Sequence, residues 1–156
     1  MMKLIEEFVD RFKTSVRFDE SLIVKKHNRY YLVAGKLRRF VQEDFFYAGT
    51  YLGKVKHGIF FPSFILMAML AETKSNKIVV DDKTAWLFIC GRDVFRRGIQ
   101  NVSGSVRRGD YALIVNRHGE CLGFGRILHN IDEVREKSKV VVKNVSDIGD
   151  FLRREK

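Results

Sequence analysis

Apolar side chains at the start of the chain recur with the period of a helix. Leu4, Ile5, Phe8, Val9 and Phe12 fall on one stripe, and the opposite side carries charges of both signs. Such a stripe is typical of an amphipathic helix packed on a core, because positions three and four apart share one helical face. A helix that lies on a membrane surface would carry a basic stripe instead. The pattern therefore favours a core helix.

The segments that follow have the composition of strands and turns. Residues 21–26 and 30–33 predict a hairpin with its turn at 27–29, because β-favouring runs flank a short polar stretch. Residues 45–55 predict a longer strand with bends at its glycines, and residues 59–61 predict the next strand. Together these runs predict an antiparallel sheet in the first half of the chain.

Two helices are predicted beside these strands. Residues 36–42 would form a short helix that directs Leu37, Phe40 and Val41 inward and leaves a basic outer face. Residues 64–72 are apolar nearly all round, which predicts a helix buried against the sheet.

The middle of the chain changes character near residue 80. Residues 77–80 have strand composition, and the charged stretch 81–83 is a candidate domain boundary. Residues 85–90 form an apolar run with aromatic and β-branched members, which predicts another strand.

Glycines divide the next segment into turns. After Gly91, residues 92–97 predict a short helical turn with acidic and basic ends placed as the helix dipole prefers. Gly98 is expected to end it in a conformation with positive φ. Residues 107–110, Arg-Arg-Gly-Asp, predict a second turn.

A hairpin is predicted next, from strands 111–115 and 121–128 with the reversal at Gly119. Gly123 and Gly125 are two apart, so they share one face of their strand and permit a close approach of other backbone. Such glycines also help a small sheet to curl into a barrel.

The last segment, from residue 131 to 154, is predicted to contain a loop or short helix, a strand and a final helix. Residues 131–138 form a charged loop or short helix, and the β-branched run 140–145 predicts a strand that closes the barrel. Ser146 is the expected cap of a final helix over 147–154. Its predicted inward side chains are Ile148, Phe151 and Leu152.

This order of strand, glycine, short helix, Gly-Ile, Arg-Gly-Asp turn, hairpin and Gly-x-Gly resembles the PUA domain, a small pseudo-barrel that binds RNA. The matching positions are Gly91, Val94, Gly98, Ile99, Gly109, Asp110, Gly119, Gly123 and Gly125. The expected fold class is α+β, with an N-terminal antiparallel sheet and helices followed by a PUA-type pseudo-barrel. The expected domains are an N-terminal pre-PUA domain at 1–80 and the PUA domain at 81–156.

Composition narrows the possible functions. The 156 residues carry 29 Lys and Arg against 19 Asp and Glu, a net charge of +10 that favours a polyanionic partner. Lysine outnumbers arginine before residue 83, and arginine outnumbers lysine after it. Because the planar guanidinium suits phosphate contacts and base stacking, the second half is the expected RNA-binding half. No apolar run reaches the roughly 20 residues that a spanning helix needs, and we expect a cytoplasmic protein.

The thiols and imidazoles do not form a metal-binding pattern. Cys90 and Cys121 have no paired spacing, and both lie in predicted strands, where cysteine usually acts as a small buried hydrophobe. The histidines are scattered, whereas structural zinc requires four ligands in paired spacings. We therefore expect no metal and no cofactor.

Over almost its whole length the chain resembles the ribosome-biogenesis family known as nuclear import protein seven, as a short archaeal member. The resemblance is carried by 51–54, 77–80, 88–91, 122–125 and 147–149. It implies a non-catalytic RNA-binding factor of large (60S or 50S) ribosomal subunit assembly and rRNA processing. It also implies that the N-terminal domain binds pre-ribosomal or RNA-processing proteins, and a nucleolar or nuclear location if the source is eukaryotic.

The resemblance implies which basic residues contact RNA, and a U-rich single strand is one form of RNA that we expect to bind. The implicated side chains are Arg92, Arg96, Arg97, Arg107, Arg108, Arg153, Arg154 and Lys156. For Arg96 and Arg97 the simpler alternative is a favourable charge at the C-terminal end of a helix, and for Arg153 and Arg154 it is a solvated tail. Tyr47, Tyr51, Phe60 and Phe61 could stack on bases, but the sequence favours core packing for them.

Two other functions stay open. One is a PUA adaptor that binds tRNA or acts in translation, which would show the same surface chemistry. The other is a component of an RNA-modifying enzyme, but the first half lacks a Gly-x-Gly-x-x-Gly loop and a recognisable nucleophile arrangement. The sequence therefore favours a monomeric binding protein without catalytic residues.

Overall fold

The fold is known from a computed structural model that describes residues 2–41, 45 and 47–154. Within these residues the helices are α1 Met2–Asp10, α2 Gly35–Arg38, α3 Phe64–Ala71, α4 Asp82–Ile89 and α5 Ile148–Arg154. The strands are β1 Ile23–Lys26, β2 Arg29–Leu32, β3 Thr50–Lys56, β4 Ile59–Pro62, β5 Lys77–Val80, β6 Val94–Phe95, β7 Ile99–Ser103, β8 Tyr111–Val115, β9 Cys121–Ile127 and β10 Val140–Asp147. Short 3-10 turns lie at Glu20–Leu22, Arg96–Gly98 and Ile131–Glu133.

The first sheet is antiparallel in the order β1-β2-β3-β4. The predicted hairpin of β1 and β2 is confirmed, with Ile23 opposite Leu32 and Lys26 opposite Arg29. The register of β2 and β3 shifts beside Gly53, where a Cβ would overlap the backbone of β4. The strand predicted over 45–55 begins only at Thr50.

The second sheet has the order β6-β10-β9-β8-β5-β7. Only the β5–β8 pair is parallel, and the other neighbours in the described sheet are antiparallel. The edge strands β6 and β7 follow each other in the chain through the turn Arg96–Gly98, so the sheet curls towards closure. The predicted α+β class with a pseudo-barrel is confirmed. The predicted domain boundary lies between residues 80 and 81. Strand β5 precedes this boundary but pairs with β8 of the second sheet. The division into two domains stays a prediction.

One hydrophobic core joins the two sheets. Ile5, Phe8 and Phe12 from α1 and its end pack with Leu113 of β8 and Phe124 of β9. The Phe124 ring lies 5.5 Å from both the Phe8 and the Phe12 ring centroid, in edge-to-face contacts. The same cluster includes Leu66, Met67 and Leu70 of α3 and Tyr30, Leu52 and Phe60 of the first sheet. The predicted core helix at the N-terminus is therefore confirmed, and it lies between the two halves.

The strand predicted at 85–90 is wrong, since this run belongs to helix α4. The Asp81 carboxylate caps the helix by accepting a hydrogen bond from the Thr84 amide at 2.7 Å. Ala85 and Phe88, three residues apart, face the barrel interior, and Trp86 is 68% exposed. A short apolar run cannot distinguish a strand from a helix by itself, and here the cap decides.

The helical turn predicted at 92–97 is also wrong. Residues Val94–Phe95 form the edge strand β6, and only Arg96–Gly98 turn, as a 3-10 helix. Gly98 does not adopt positive φ. Its role is steric, because a Cβ at this position would overlap the Thr84 side chain of α4.

In two helices, side chains that were expected to face inward are exposed. Leu37 and Phe40 were expected inward but are 54% and 67% exposed, and α2 ends at Arg38. The predicted end of that helix reaches position 42, which lies outside the described residues. In α5, Leu152 is 72% exposed, and the side chain of 151 lies outside the description.

The cap of α5 is not the predicted Ser146. The amide of Asp150 donates instead to the buried carboxylate of Asp147 at 2.8 Å. Carboxylates and hydroxyls compete for this position, and the one that is turned towards the first helical amides acts as the cap.

The shared core predicts cooperative unfolding of both halves. Phe8→Ala should lower the free energy of unfolding by about 3–5 kcal/mol, because it leaves a cavity among aromatic rings. Scanning calorimetry should show one transition that moves as a whole. The control Ile65→Ala, on the half-exposed side of α3, should change stability little. Two separate transitions, of which only one moves, would contradict the shared core.

Candidate nucleic-acid interface

Arg96 and Arg97 lie in the turn that joins the two edges of the barrel. The Arg96 amide donates to the Lys139 carbonyl at 2.8 Å, and the Arg97 amide donates to the Lys137 carbonyl at 3.0 Å. The Arg96 Nε also donates to the Val134 carbonyl at 3.2 Å. The turn is thereby fixed against the segment 131–139.

The two arginines differ in how free their guanidinium groups are. Arg96 is half-buried and held by the Val134 carbonyl. Arg97 is exposed, and its guanidinium carbon lies 5.0 Å from the centroid of the Phe95 ring. This cation–π contact orients the Arg97 side chain, which is still exposed to solvent.

Arg107 and Arg108 occupy a fixed turn, as predicted. The Arg107 amide donates to the Asp110 carboxylate at 3.0 Å, and the Arg108 amide donates to the Asn130 side chain at 2.9 Å. Gly109 has a φ of 90°, which explains the glycine at this turn. Both arginine side chains are exposed, so the turn presents two cations on a rigid backbone.

The segment 131–139 brings the two pairs of arginines onto one surface. Arg96 and Arg107 line the same depression of about 380 Å³. A neighbouring depression of about 480 Å³ is lined by Arg96 and Arg97, and another of about 360 Å³ is lined by Arg108. We call this surface the basic face; its cations are Arg96, Arg97, Arg107, Arg108, Arg135, Lys137 and Lys139.

Arg135, Lys137 and Lys139 were missed by the sequence analysis. Their segment carries both signs of charge, and the sequence predicts it only as a charged loop or short helix. The cations of the basic face outnumber its carboxylates, which come from Asp132, Glu133 and Glu136. Contacts between segments that are distant in sequence, and not local charge, bring these side chains together.

Arg92 and Arg153 lie elsewhere, at the C-terminal end of α4. Arg92 is exposed and precedes β6, so it is separated from Arg96 by the length of that strand. The Arg153 guanidinium donates to the Ile89 carbonyl and to the buried Asp147 carboxylate, each at 3.4 Å. Arg153 thus ties α5 to α4, which is a structural use of a residue predicted to contact RNA.

The other predicted C-terminal contacts are not tested by the structure. The side chain of Arg154 and the whole of Lys156 lie outside the described residues. Trp86, in the middle of α4, is not among the predicted site residues, because the sequence places it in a strand. An exposed tryptophan beside the exposed Lys83 is a stacking surface that becomes visible only once the run is helical.

Both cysteines are predicted to lie in strands, and the structure confirms this for Cys121 only. Cys121 is buried in β9, whereas Cys90 is exposed at the end of α4. Burial raises the pKa of the Cys121 thiol to about 11, although its hydrogen bond to the Gly123 carbonyl opposes the shift.

Among the described residues no group of three His, Cys, Asp or Glu side chains is placed to hold a metal ion. None of the helices in the described ranges has the length and apolar composition that a membrane crossing requires.

Comparison with known proteins identifies the fold family. A model of the UPF0113 PUA domain matches residues 76–156. The chain belongs to this family. The PUA domain is an RNA-binding type of domain, so the RNA-binding class predicted from the sequence is supported at this coarser level. The narrower assignment to the nuclear import protein seven family stays a prediction.

Relatives of this PUA protein are archaeal, in agreement with the expected origin. The UPF0113 protein of Archaeoglobus fulgidus is 31% identical over 112 residues, which are 70% of this chain and 63% of that protein. The probable tRNA pseudouridine synthase B of Methanocaldococcus jannaschii is 30% identical over 73 residues, 47% of this chain and 22% of that protein. The chain thus spans less than two thirds of the length of either relative.

A solved structure supports the fold over most of the chain. The PUA domain of Aeropyrum pernix K1, crystallised as a tartrate complex, superposes with a TM-score of 0.60. The match covers 94% of this chain and 83% of that chain at 19% identity. At this identity the likeness shows the fold, and it extends beyond the pseudo-barrel into the first half.

The two cysteines should differ sharply in reactivity. In the folded protein a thiol reagent at neutral pH should label Cys90 rapidly and leave Cys121 unmodified, because the thiolate is the reactive form and Cys121 is buried. Mass spectrometry of the labelled peptides checks this, with denatured protein as the reference in which both react. Rapid labelling of Cys121 in the folded protein would contradict its burial.

Proposed function

We propose that this PUA protein is a non-catalytic RNA-binding factor of large ribosomal subunit biogenesis, acting in pre-rRNA processing. The carrying observation is the basic face, where separate turns of the barrel place arginines and lysines around one surface. Cations spaced along a fixed surface bind successive RNA phosphates, and such contacts give affinity and position with little sequence preference.

Rigidity supports the use of this surface for phosphate binding. The backbone amides of Arg96, Arg97 and Arg108 are all hydrogen-bonded to distant segments. Side chains that project from a fixed backbone lose less entropy on binding than side chains of a mobile loop. The basic face therefore extends the predicted set Arg96, Arg97, Arg107 and Arg108.

Helix α4 and the residues that follow it would extend the RNA path past β6. Arg92 is exposed there, and Trp86 could stack on a base that leaves the phosphate track. Arg154 and Lys156 remain part of this proposal from the sequence alone. Arg153 contributes by holding α5 against α4.

The first half is the proposed site of protein partners, in the pre-ribosome or the RNA-processing machinery. Leu37, Phe40 and Tyr47 are large apolar side chains with more than half of their surface exposed. Exposed Arg38 and Arg39 lie between them in sequence. Apolar side chains at the surface beside cations are typical of contact regions.

A tRNA-binding adaptor is the second candidate. It is favoured by the similarity to a relative named as a tRNA pseudouridine synthase, although this chain spans 22% of that protein. Both candidates use the same basic face, and the RNA that binds more tightly distinguishes them. A role as part of an RNA-modifying enzyme would require catalytic groups that neither the sequence nor the basic face supplies.

Salt-dependent RNA binding tests the proposal. The variant Arg97→Ala/Arg107→Ala/Arg108→Ala should weaken binding to a U-rich single strand and flatten the plot of log affinity against log salt by roughly 0.7 per lost phosphate contact. Fluorescence anisotropy at several salt concentrations measures both effects. A tRNA and an RNA duplex, measured in parallel, show which RNA class is preferred.

The matched control is Arg38→Ala/Arg39→Ala, which removes adjacent exposed arginines from the first half. Its salt dependence should equal that of the unmodified protein. If both variants flatten the slope equally, binding is diffuse and the basic face is not the RNA site. A preference for folded tRNA over the single strand would favour the adaptor function.

Trp86 is a built-in reporter, because the chain has a single tryptophan. If RNA passes α4, the Trp86 fluorescence should be quenched during the same titration. Trp86→Leu should then weaken binding by about 1–3 kcal/mol through lost stacking. Unchanged fluorescence at saturation would confine the RNA to the basic face.

A further inference from the structure

A cleft of about 500 Å³ lies between the two halves, away from the basic face. One wall is the edge strand β4 with its neighbour β3, and another is formed by α1 and β8. The third wall is formed by Val145, Ser146 and Asp150, from β10 and α5. Its volume is within the range of about 300–1,000 Å³ that is usual for small-molecule sites.

Two cations face each other across the strands that border this cleft. Arg29 of β2 is the direct partner of Lys54 of β3, and Lys54 is the direct partner of Phe61 of β4. Like charges opposite each other on neighbouring strands repel. Both side chains are exposed, and within the described part of the chain neither forms an ion pair with a carboxylate. Such a pair is suited to an anion that bridges them.

Aromatic side chains beside these two cations also line the cleft. Phe61 is half-buried and lies next to Lys54 in the register, and Tyr111 is half-buried on the opposite wall. The Arg11 guanidinium lies 5.0 Å from the Tyr111 ring centroid and adds a third cation. Burial raises the pKa of the Tyr51 hydroxyl, which also lines the cleft and is available as a neutral donor.

We propose that this cleft binds one nucleotide, with the base against Phe61 and the phosphate between Arg29 and Lys54. An inorganic anion would not use the aromatic walls, and an apolar ligand would leave the opposed cations unpaired. A planar base joined to a phosphate satisfies both features at once. The nucleotide is either free or one unit of an RNA chain, and the site does not depend on the basic face.

Nitrogen-15 NMR of the full chain tests the site with defined probes. Adenosine and uridine 5′-monophosphates should shift the amide signals of Arg29, Lys54 and Phe61 at millimolar concentration. Lys54→Ala should weaken this binding roughly tenfold through loss of a charge-assisted hydrogen bond. Phe61→Leu should weaken it by a factor of roughly 5 or more through loss of base stacking.

Lys56→Ala is the matched control. Lys56 is exposed on the same strand but does not line the cleft, so its removal should leave nucleotide binding unchanged. Well-dispersed spectra of each variant show that the fold is intact. Inorganic phosphate and uridine are titrated separately as the two halves of the ligand.

The outcomes separate the sources of the ligand. Shifts in the cleft with mononucleotides support a free nucleotide, and shifts only with a short single-stranded RNA support one unit of a chain. If phosphate alone binds as tightly as the nucleotides, or if no probe shifts the cleft signals, the proposal is overturned. The arginine variants of the basic face leave the cleft intact, so either proposal can fail while the other stands.

Discussion

Burial of β8 on both of its faces is the constraint that joins this protein into one structure. Leu113 and Val115 point into the core shared with α1 and α3, and Ala112 and Ile114 point into the barrel. A strand buried on both sides has a continuous apolar run, which is what residues 111–115 show. Asn76, directly before β5, strengthens the junction through its backbone. Its backbone N–H donates to the Phe12 carbonyl at 2.8 Å, and its backbone carbonyl accepts from the Leu113 N–H at 2.9 Å.

Closure of the barrel has a direct consequence for its surface chemistry. The chain must cross from edge strand β6 to edge strand β7 in the short turn Arg96–Gly98, and Gly98 must pass close to Thr84. With the glycine packed inward, the preceding arginines extend over segment 131–139, whose carbonyls hold their amides. The same geometry that closes the sheet therefore assembles the basic face, so its position does not depend on a flexible loop.

The amino-acid sequence predicts the elements whose signal is local. The stripe of α1, the first hairpin, the helical structure of α3 and the glycine-marked hairpin of β8 and β9 are confirmed. The expected burial of α3 is only partly correct, because Phe64 and Ile65 are exposed on its outer side. The prediction fails at 85–90, where an apolar run of strand-favouring residues is overruled by the Asp81 cap and by burial of Ala85 and Phe88 on one side. It finds four arginines of the basic face and misses Arg135, Lys137 and Lys139, because their neighbourhood arises from contacts distant in sequence.

The cleft between the halves follows from the shared core and could not be predicted from either half alone. Its walls come from α1 and the residue after it, from strands β2, β3 and β4 of the first sheet, and from β8, β9, β10 and α5 of the second half. The Phe124 ring that packs on Phe8 also borders the cleft, so its shape depends on the contact that holds the halves together. A ligand that touches walls from both halves binds only the folded arrangement, and it would stabilise that arrangement by mass action. Ligand binding in the cleft and the stability of the contact between the halves are therefore coupled. The basic face lies within the barrel, so its geometry does not depend on that contact.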